Sequence, residues 1–152
     1  MKKLADYGID HVGFVVKDRE KAMEHFKELF GIDEYNVYDF FPTMVKSSGI
    51  EMNNYHLKIA MAKAVGKASR VEIIEPTGNP GCHQEWVDAG ENGLHHICFR
   101  VDDYDYWRTY FVEKGAKFIF ESLTEDTFGK RRCFYADDPE YGMVFEILEQ
   151  PK

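Results

Sequence analysis

A chain of 152 residues has the length of one domain, or of two very small halves that share a core, which excludes an enzyme with a separate cofactor module. Hydrophobic residues make up 44% of the sequence and charged residues 30%, as in globular rather than disordered proteins. The formal net charge of -8 argues against nucleic acid as a partner, because positive surfaces bind phosphate backbones.

The cysteines and the N-terminal segment indicate the compartment. Cys82, Cys98 and Cys133 are widely spaced without a C-x-x-C pair, which favours free thiols over a disulfide framework. No apolar segment follows the N-terminal lysines, and no uncharged run approaches the roughly 18 residues that cross a bilayer. We therefore expect a cytoplasmic protein without membrane contact.

The first predicted strand recurs later in the chain. Residues 9–18 read IDHVGFVVKD and residues 94–103 read LHHICFRVDD, so that His11 corresponds to His96 at an offset of 85 positions. Apolar residues alternate with others in both segments, as in strands of a half-buried sheet. The chain is therefore expected to consist of two related halves.

A predicted helix follows each of these strands. Asp18 and Asp103 are suited to capping the two helix starts, and Gly31 and Gly115 follow the last apolar residues. Between these limits, apolar residues recur at helical spacing: Ala22, Met23, Phe26, Leu29 and Phe30 in the first half, and Tyr104, Trp107, Tyr110 and Phe111 in the second.

A last strand closes each half, over residues 70–76 and 144–149, and these strands contain Glu72 and Glu146. The spacing from histidine to glutamate is 61 positions in the first half (72 minus 11) and 50 in the second (146 minus 96). The first half therefore carries about eleven extra residues, which we place in the weakly periodic stretch 33–58. A short helical turn is expected at residues 84–88 in the linker.

This order predicts an α+β fold with two tandem β-α-β-β-β modules, whose two small sheets form a curved cleft. Residues 1–152 are expected to form a single domain, with module one at about 8–76, a linker at 77–92 and module two at about 93–149. One helix per half is too few for a doubly wound parallel sheet.

Four residues at matched positions of the halves are candidates for chemistry: His11, Glu72, His96 and Glu146. A lone histidine or glutamate in a strand is usually an ordinary surface or core residue. Glu72 and Glu146, however, lie among apolar residues, where an unpaired inward charge costs several kcal/mol. If the halves pair with approximate twofold symmetry, the four side chains form a mixed nitrogen and oxygen site that suits a divalent transition metal.

The sequence resembles the vicinal oxygen chelate superfamily, which includes glyoxalase I, methylmalonyl-CoA epimerase, extradiol dioxygenases, and the fosfomycin and bleomycin resistance proteins. The resemblance rests on IDHV at 9–12, on GLHHI at 93–97 followed by RVDD, and on GMVFEI at 142–147. It implies one metal ion in the cleft, zinc, nickel, cobalt, manganese or iron, with His11, Glu72, His96 and Glu146 as ligands. It further implies a small-molecule substrate and a homodimer.

The resemblance implies a metal-dependent isomerase, epimerase or lyase that works through a metal-chelated enolate. By similarity to glyoxalase I, Glu146 is expected to exchange protons as well as bind the metal, with Glu72 assisting. The epimerases have glutamine at the Glu72 position and a further glutamate near residues 57–60, for which Glu51 is a weak substitute here. The alternatives are a non-catalytic small-molecule binding protein and a ferrous-iron dioxygenase of the same superfamily.

The remaining histidines are expected to have supporting or surface positions. His95 alternates with His96, so we place it on the strand face that packs on the helix, as a core residue or a support for the ligands. His25, His56 and His83 are expected to be solvated, although His56 or His83 can line the cleft.

Two further groups have open interpretations. Lys130, Arg131, Arg132 and Arg100 are either solvated or recognise an anionic group of the substrate. Tyr35, Tyr38, Phe40 and Phe41 form either core packing or an apolar lid.

Overall fold

The computed structural model describes residues 2–63, 70–138 and 140–151. Within these ranges all strands join one sheet of ten, in the order β2-β5-β6-β1-β7-β10-β9-β8-β3-β4. The elements are β1 (His11–Val15), α1 (Arg19–Phe30), β2 (Tyr35–Phe40), β3 (Met44–Ser47), β4 (Ile50–Met52), β5 (Leu57–Ala62), β6 (Arg70–Pro76), α2 (Cys82–Asp88), β7 (Gly93–Val101), α3 (Tyr104–Glu113), β8 (Lys117–Asp126), β9 (Gly129–Asp138) and β10 (Met143–Glu149). The predicted α+β class and curved sheet are confirmed.

The two halves meet at the centre of this sheet. Strands β1 and β7 pair antiparallel, while β6 lies parallel to β1 and β10 lies parallel to β7. The two small sheets expected from the sequence are therefore joined into one continuous sheet. Each half on its own would leave a strand edge with unpaired backbone groups, and pairing β1 with β7 satisfies both edges.

The extra residues of the first half form the hairpin β3–β4, which joins the second half. Strand β3 pairs antiparallel with β8 and alternates buried Val45 and Ser47 with exposed Met44 and Lys46. Only residues 41–43 connect β2, at one end of the strand order, to β3, near the other end. The four Cα–Cα steps from Phe40 to Met44 span about 14 Å at most. The sheet must therefore curl strongly, which creates a deep concave face.

Helices α1 and α3 cover the convex face, and their predicted ends are confirmed. Asp18 accepts a hydrogen bond from the Lys21 backbone N–H at 3.0 Å, and Asp103 caps α3 in the same way. Gly31 ends α1 with φ at 69°, a left-handed conformation that glycine adopts without strain. In α1 only the first part of the apolar stripe is covered, since Leu29 and Phe30 are more than half exposed.

Helix α2 lies on the concave side, where Cys82, Trp86 and Val87 pack against Val15 and Ile74. The predicted helical turn at 84–88 is thus present and begins two residues earlier. All three cysteines are free, as predicted, and all three are buried. In the described part of the chain, no helix has both the length and the apolar character needed to span a membrane.

Candidate metal centre

The candidate centre lies on the four middle strands of the concave face. In the first half of the site, Glu72 on β6 lies opposite Gly13 on β1, and Gly13 lies opposite His96 on β7. Glutamate and histidine are therefore two strands apart, with only a glycine between them. An alanine Cβ at position 13 would lie 2.0 Å from Cε1 of His96, which shows that the imidazole occupies the space a side chain would fill.

The second half of the site repeats this row. Glu146 on β10 lies opposite Cys98 on β7, and Cys98 lies opposite His11 on β1. Cys98 is the residue that corresponds to Gly13 at the offset of 85 positions. A small residue in the middle of each row lets the glutamate and the histidine reach over it, so the two rows converge at one point.

The structure brings all four predicted residues together. Nε2 of His11 lies 2.9 Å from Oε2 of Glu146 and 3.2 Å from Oε2 of Glu72. Nε2 of His96 lies 3.2 Å and 3.4 Å from the same two oxygens. All four side chains are buried, with at most 7% exposure, and their ligand atoms lie within 4.8 Å of one another.

These separations fit a divalent transition ion. Nitrogen and oxygen ligands about 2.1 Å from one ion, at tetrahedral to octahedral angles, are about 3.0–3.4 Å apart. Nε2 of His96 is buried and makes no hydrogen bond within the described part of the protein, which is unusual for such an atom. Two imidazoles and two carboxylates are also donors that these metals accept.

The two glutamates are held in their charged form. Burial raises the pKa of Glu72, but the charge and the hydrogen bond of His11, together with the nearby imidazole of His96, outweigh it and lower that pKa to about 2. The pKa of Glu146 is lowered for the same reasons. Burial lowers the pKa of His11, but Glu72 and the bonds to Asp10 and Glu146 raise it above its usual value. Both carboxylates are therefore ionised, as the ligands of a cation must be.

Asp10 orients His11, a role that the sequence analysis missed. Nδ1 of His11 donates to Oδ2 of Asp10 at 2.8 Å, which leaves Nε2 directed at the glutamates. Arg70 and Arg100 donate to the same carboxylate, at 2.7 Å and 3.0 Å. A carboxylate behind a histidine fixes its tautomer and orientation, as in many metal sites. Its position next to His11 was the available signal.

His95 has the equivalent place behind His96, and its predicted position on the convex face is wrong. The pairing of β1 and β7 shifts register beside Gly13, and this bulge lets both neighbouring histidines point to the concave side. Nδ1 of His95 lies 2.9 Å from Nδ1 of His96, and its ring contacts Trp86 of α2. Burial and the nearby His83 lower the pKa of His95 to about 2, so it is neutral.

His83 is fully buried, so the expectation of a solvated side chain is wrong. Nδ1 of His83 lies 2.8 Å from the Tyr55 hydroxyl, and Nε2 lies 3.2 Å from the Tyr135 hydroxyl. Burial lowers the pKa of His83 to about 3. The position of α2 on the concave face, which local sequence does not reveal, causes this burial.

The other two histidines are closer to expectation. His25 is exposed on α1. His56 is partly exposed, bonds to Asp39 at 2.7 Å and stacks on Phe41 with ring centroids 4.3 Å apart. Neither side chain reaches the four-residue cluster.

A cavity of about 630 Å³ opens above the cluster. Its wall is mostly apolar: Tyr38, Phe40, Leu57, Ile59, Met61, Ile74, Phe120, Cys133, Tyr135 and Leu148. Of the four aromatics considered for a lid, Phe41 is largely exposed at the rim, whereas Tyr35 packs with Phe26 near α1 instead.

The arginines on the cavity wall are all paired. Arg131 donates to Asp126 with both terminal nitrogens. Arg132 donates to Glu149 at 2.8 Å and to an aspartate of α3. Both residues lie within β9, and Arg100 is bonded to Asp10 as described above.

The comparison with known families identifies the fold. The family model described as "Glyoxalase/Bleomycin resistance protein/Dioxygenase superfamily" matches residues 10–135. The chain belongs to this superfamily. A curated lactoylglutathione lyase of Schizosaccharomyces pombe (strain 972 / ATCC 24843) is 24% identical over 97% of this chain, which spans 49% of that protein.

Solved structures agree with the superfamily fold. Methylmalonyl-CoA epimerase from Mycobacterium tuberculosis has a TM-score of 0.67 and 19% identity, covering 95% of this chain and 89% of that one. A methylmalonyl-CoA epimerase in complex with methylmalonyl-CoA and NH4+ has a TM-score of 0.65 and 20% identity, covering 93% of both chains. The recognition of the superfamily from sequence is therefore confirmed, and at these identities the structures show a shared fold.

Proposed function

We propose that this chain is a metal-dependent isomerase or lyase of the glyoxalase type, which moves a proton at a carbon next to a carbonyl. The observation that carries the proposal is the pair of buried carboxylates, Glu72 and Glu146, which share one point with His11 and His96 at the floor of the cavity. The lactoylglutathione lyase similarity supports the same class of chemistry.

Each residue of the cluster has a defined task in this proposal. His11, His96, Glu72 and Glu146 would hold a zinc, nickel, cobalt, manganese or iron ion. Once bound, such a cation would polarise two neighbouring substrate oxygens and so lower the barrier to deprotonation. Glu146 would accept the proton from one substrate carbon and return it to the neighbouring carbon, with Glu72 assisting on the opposite side.

The cavity wall supports the glutamates as the proton carriers. Strand β5, where the epimerases have a further glutamate, presents Leu57, Ile59 and Met61 to the cavity. Glu51 lies exposed on β4 and is absent from the cavity wall. These positions favour an isomerase or lyase whose ligands also move protons over an epimerase with a separate base.

Hydrogen exchange tests the proposal. The metal-loaded protein is incubated in D2O with the glutathione hemithioacetals of methylglyoxal and phenylglyoxal, with 2-hydroxyacetophenone and with methylmalonyl-CoA, and loss of the proton next to the carbonyl is followed by NMR. We expect exchange with a hydroxycarbonyl compound and at least about a 100-fold loss in Glu146→Gln. Exchange of methylmalonyl-CoA alone would indicate an epimerase. A metal-loaded protein that exchanges none of them would contradict enzymatic function and favour the binding protein.

A further inference from the structure

We infer that the cavity takes an uncharged, largely apolar small molecule with two adjacent oxygens, and not the thioester of a polyanionic carrier. This inference rests on the proposed function, because the two oxygens would meet the cation at the four-residue cluster. The rest of such a substrate, here called its tail, would contact only the cavity wall.

The inner wall is apolar. Leu57, Ile59, Ile74 and Phe120 all line the cavity and are each at most 4% exposed. They stand on strands β5, β6 and β8, on both sides of the central strands. A ligand tail between these walls loses its water without gaining polar partners, which favours hydrocarbon or aromatic groups and disfavours charged ones.

Each arginine of the cavity wall is already paired with a carboxylate. Arg131 forms a two-nitrogen pair with Asp126, and Arg132 pairs with both Glu149 and Asp105. Arg100 pairs with Asp10 as described for the metal centre. Among the described residues, every arginine of the cavity wall thus has a carboxylate partner, and Arg100 shares its partner Asp10 with Arg70. An anionic tail would have to break one of these pairs or be buried without a counter-charge.

The rim of the cavity carries three carboxylates. Asp39, Glu125 and Asp126 line it, each paired with one basic side chain, together with the exposed ring of Phe128. A carrier with several phosphates would have to pass or lie against these carboxylates. Like charges in contact disfavour binding, whereas a neutral molecule meets no such barrier. The rim and the inner wall thus favour the same class of ligand.

The tail preference is measured by comparing the affinities of three hydroxamates. Each offers the same pair of adjacent oxygens to the metal, so they differ only in the tail. Acetohydroxamate, benzohydroxamate and 4-carboxybenzohydroxamate are titrated into the zinc-loaded protein by calorimetry. We expect benzohydroxamate to bind at least about tenfold more tightly than acetohydroxamate, because the phenyl ring is buried. 4-Carboxybenzohydroxamate should bind at least about tenfold more weakly than benzohydroxamate, because its carboxylate would be buried. Excess coenzyme A should not displace bound benzohydroxamate.

A matched pair of variants tests why the carboxylated ligand should bind more weakly. Asp126→Asn releases Arg131 from its pair and should reduce the carboxylate penalty about threefold or more. Glu125→Gln removes a neighbouring rim charge that pairs with exposed Lys130, not with a wall arginine, and should change the penalty less than about twofold. An equal effect of both variants would show that rim charge alone, and not the paired arginine, sets the preference.

The outcomes separate this inference from the proposed function. Binding of 4-carboxybenzohydroxamate as tight as that of benzohydroxamate, or displacement by coenzyme A, overturns the inference while leaving metal-dependent chemistry intact. Benzohydroxamate and 4-carboxybenzohydroxamate are also titrated into the metal-free protein by NMR. The preference for an uncharged phenyl group is then measured even if no cation binds. A protein that prefers the phenyl tail but binds no zinc would support the cavity inference and contradict the proposed function.

Discussion

Replacing Gly13 by alanine should damage the candidate metal centre although no ligand residue is substituted. The new Cβ would lie 2.0 Å from Cε1 of His96, and ordinary contact begins near 3.4 Å. The imidazole would have to move by about 1.4 Å (3.4 minus 2.0), far beyond the roughly 0.2 Å tolerance of a metal–nitrogen bond. We expect a loss of stability of about 1–3 kcal/mol from overpacking. Metal affinity should fall at least about 10–100-fold, the loss seen when ligand orientation alone is disturbed.

Two measurements separate these effects. Urea unfolding of the metal-free protein gives the stability, and zinc titration gives the affinity. The matched control is Cys98→Ala, at the equivalent position of the second half, where the native residue already carries a Cβ opposite His11. This control should keep zinc affinity within about threefold, because no ligand is displaced.

A double variant identifies the clash. If His96 is the group that the new methyl displaces, adding His96→Ala to Gly13→Ala should restore about 1–3 kcal/mol of stability relative to the sum of the single changes. Zinc binding should stay lost in the double variant. A Gly13→Ala protein with native stability and native zinc affinity would refute the arrangement in which the imidazole of His96 lies over Gly13.

Further predictions concern the residues behind the ligands and the buried histidine. Asp10→Asn should weaken zinc binding about 10–100-fold by loosening His11, as measured by calorimetry. His95→Phe should weaken it similarly and change the His96 tautomer in nitrogen NMR spectra of the metal-free protein, whereas His95→Asn, which keeps an acceptor, should largely preserve both. Because the pKa of His83 falls from 6.5 to about 3 on folding, the unfolded chain binds the extra proton, and stability should fall by about 2 kcal/mol from pH 7 to pH 5. His83→Gln should remove that part of the pH dependence in urea unfolding, and an unchanged slope would contradict neutral burial.

The repeat explains why the superfamily and the convergence of the four side chains were predictable. An offset of 85 positions relates His11 to His96, and glutamates follow at matched strands, so a twofold arrangement brings them together. The local alternation of apolar residues was enough to predict these strands, because each lies in the middle of the sheet with one face covered. The caps at Asp18 and Asp103 likewise depend only on neighbouring residues.

The remaining features depend on contacts between distant segments. The hairpin β3–β4 is defined by its pairing with β8, more than seventy residues away, and its strands are too short to show a period. The bulge at His95 reverses the face that simple alternation assigns. Likewise, the sequence around His83 predicts an exposed side chain. His83 is buried because α2 packs on the concave face of the sheet. The role of Gly13 follows from the position of one imidazole ring.

Metal titration tests the central claim most directly. Cobalt is added to the purified metal-free protein, and its visible absorption is followed in the parent and in single variants of the four cluster residues (His→Ala or Glu→Gln). We predict one ion per 17.7 kDa chain and at least about a 100-fold loss of affinity in each variant. Weak substoichiometric binding in the parent, or variants that bind cobalt as the parent does, would contradict a shared cation at His11, Glu72, His96 and Glu146.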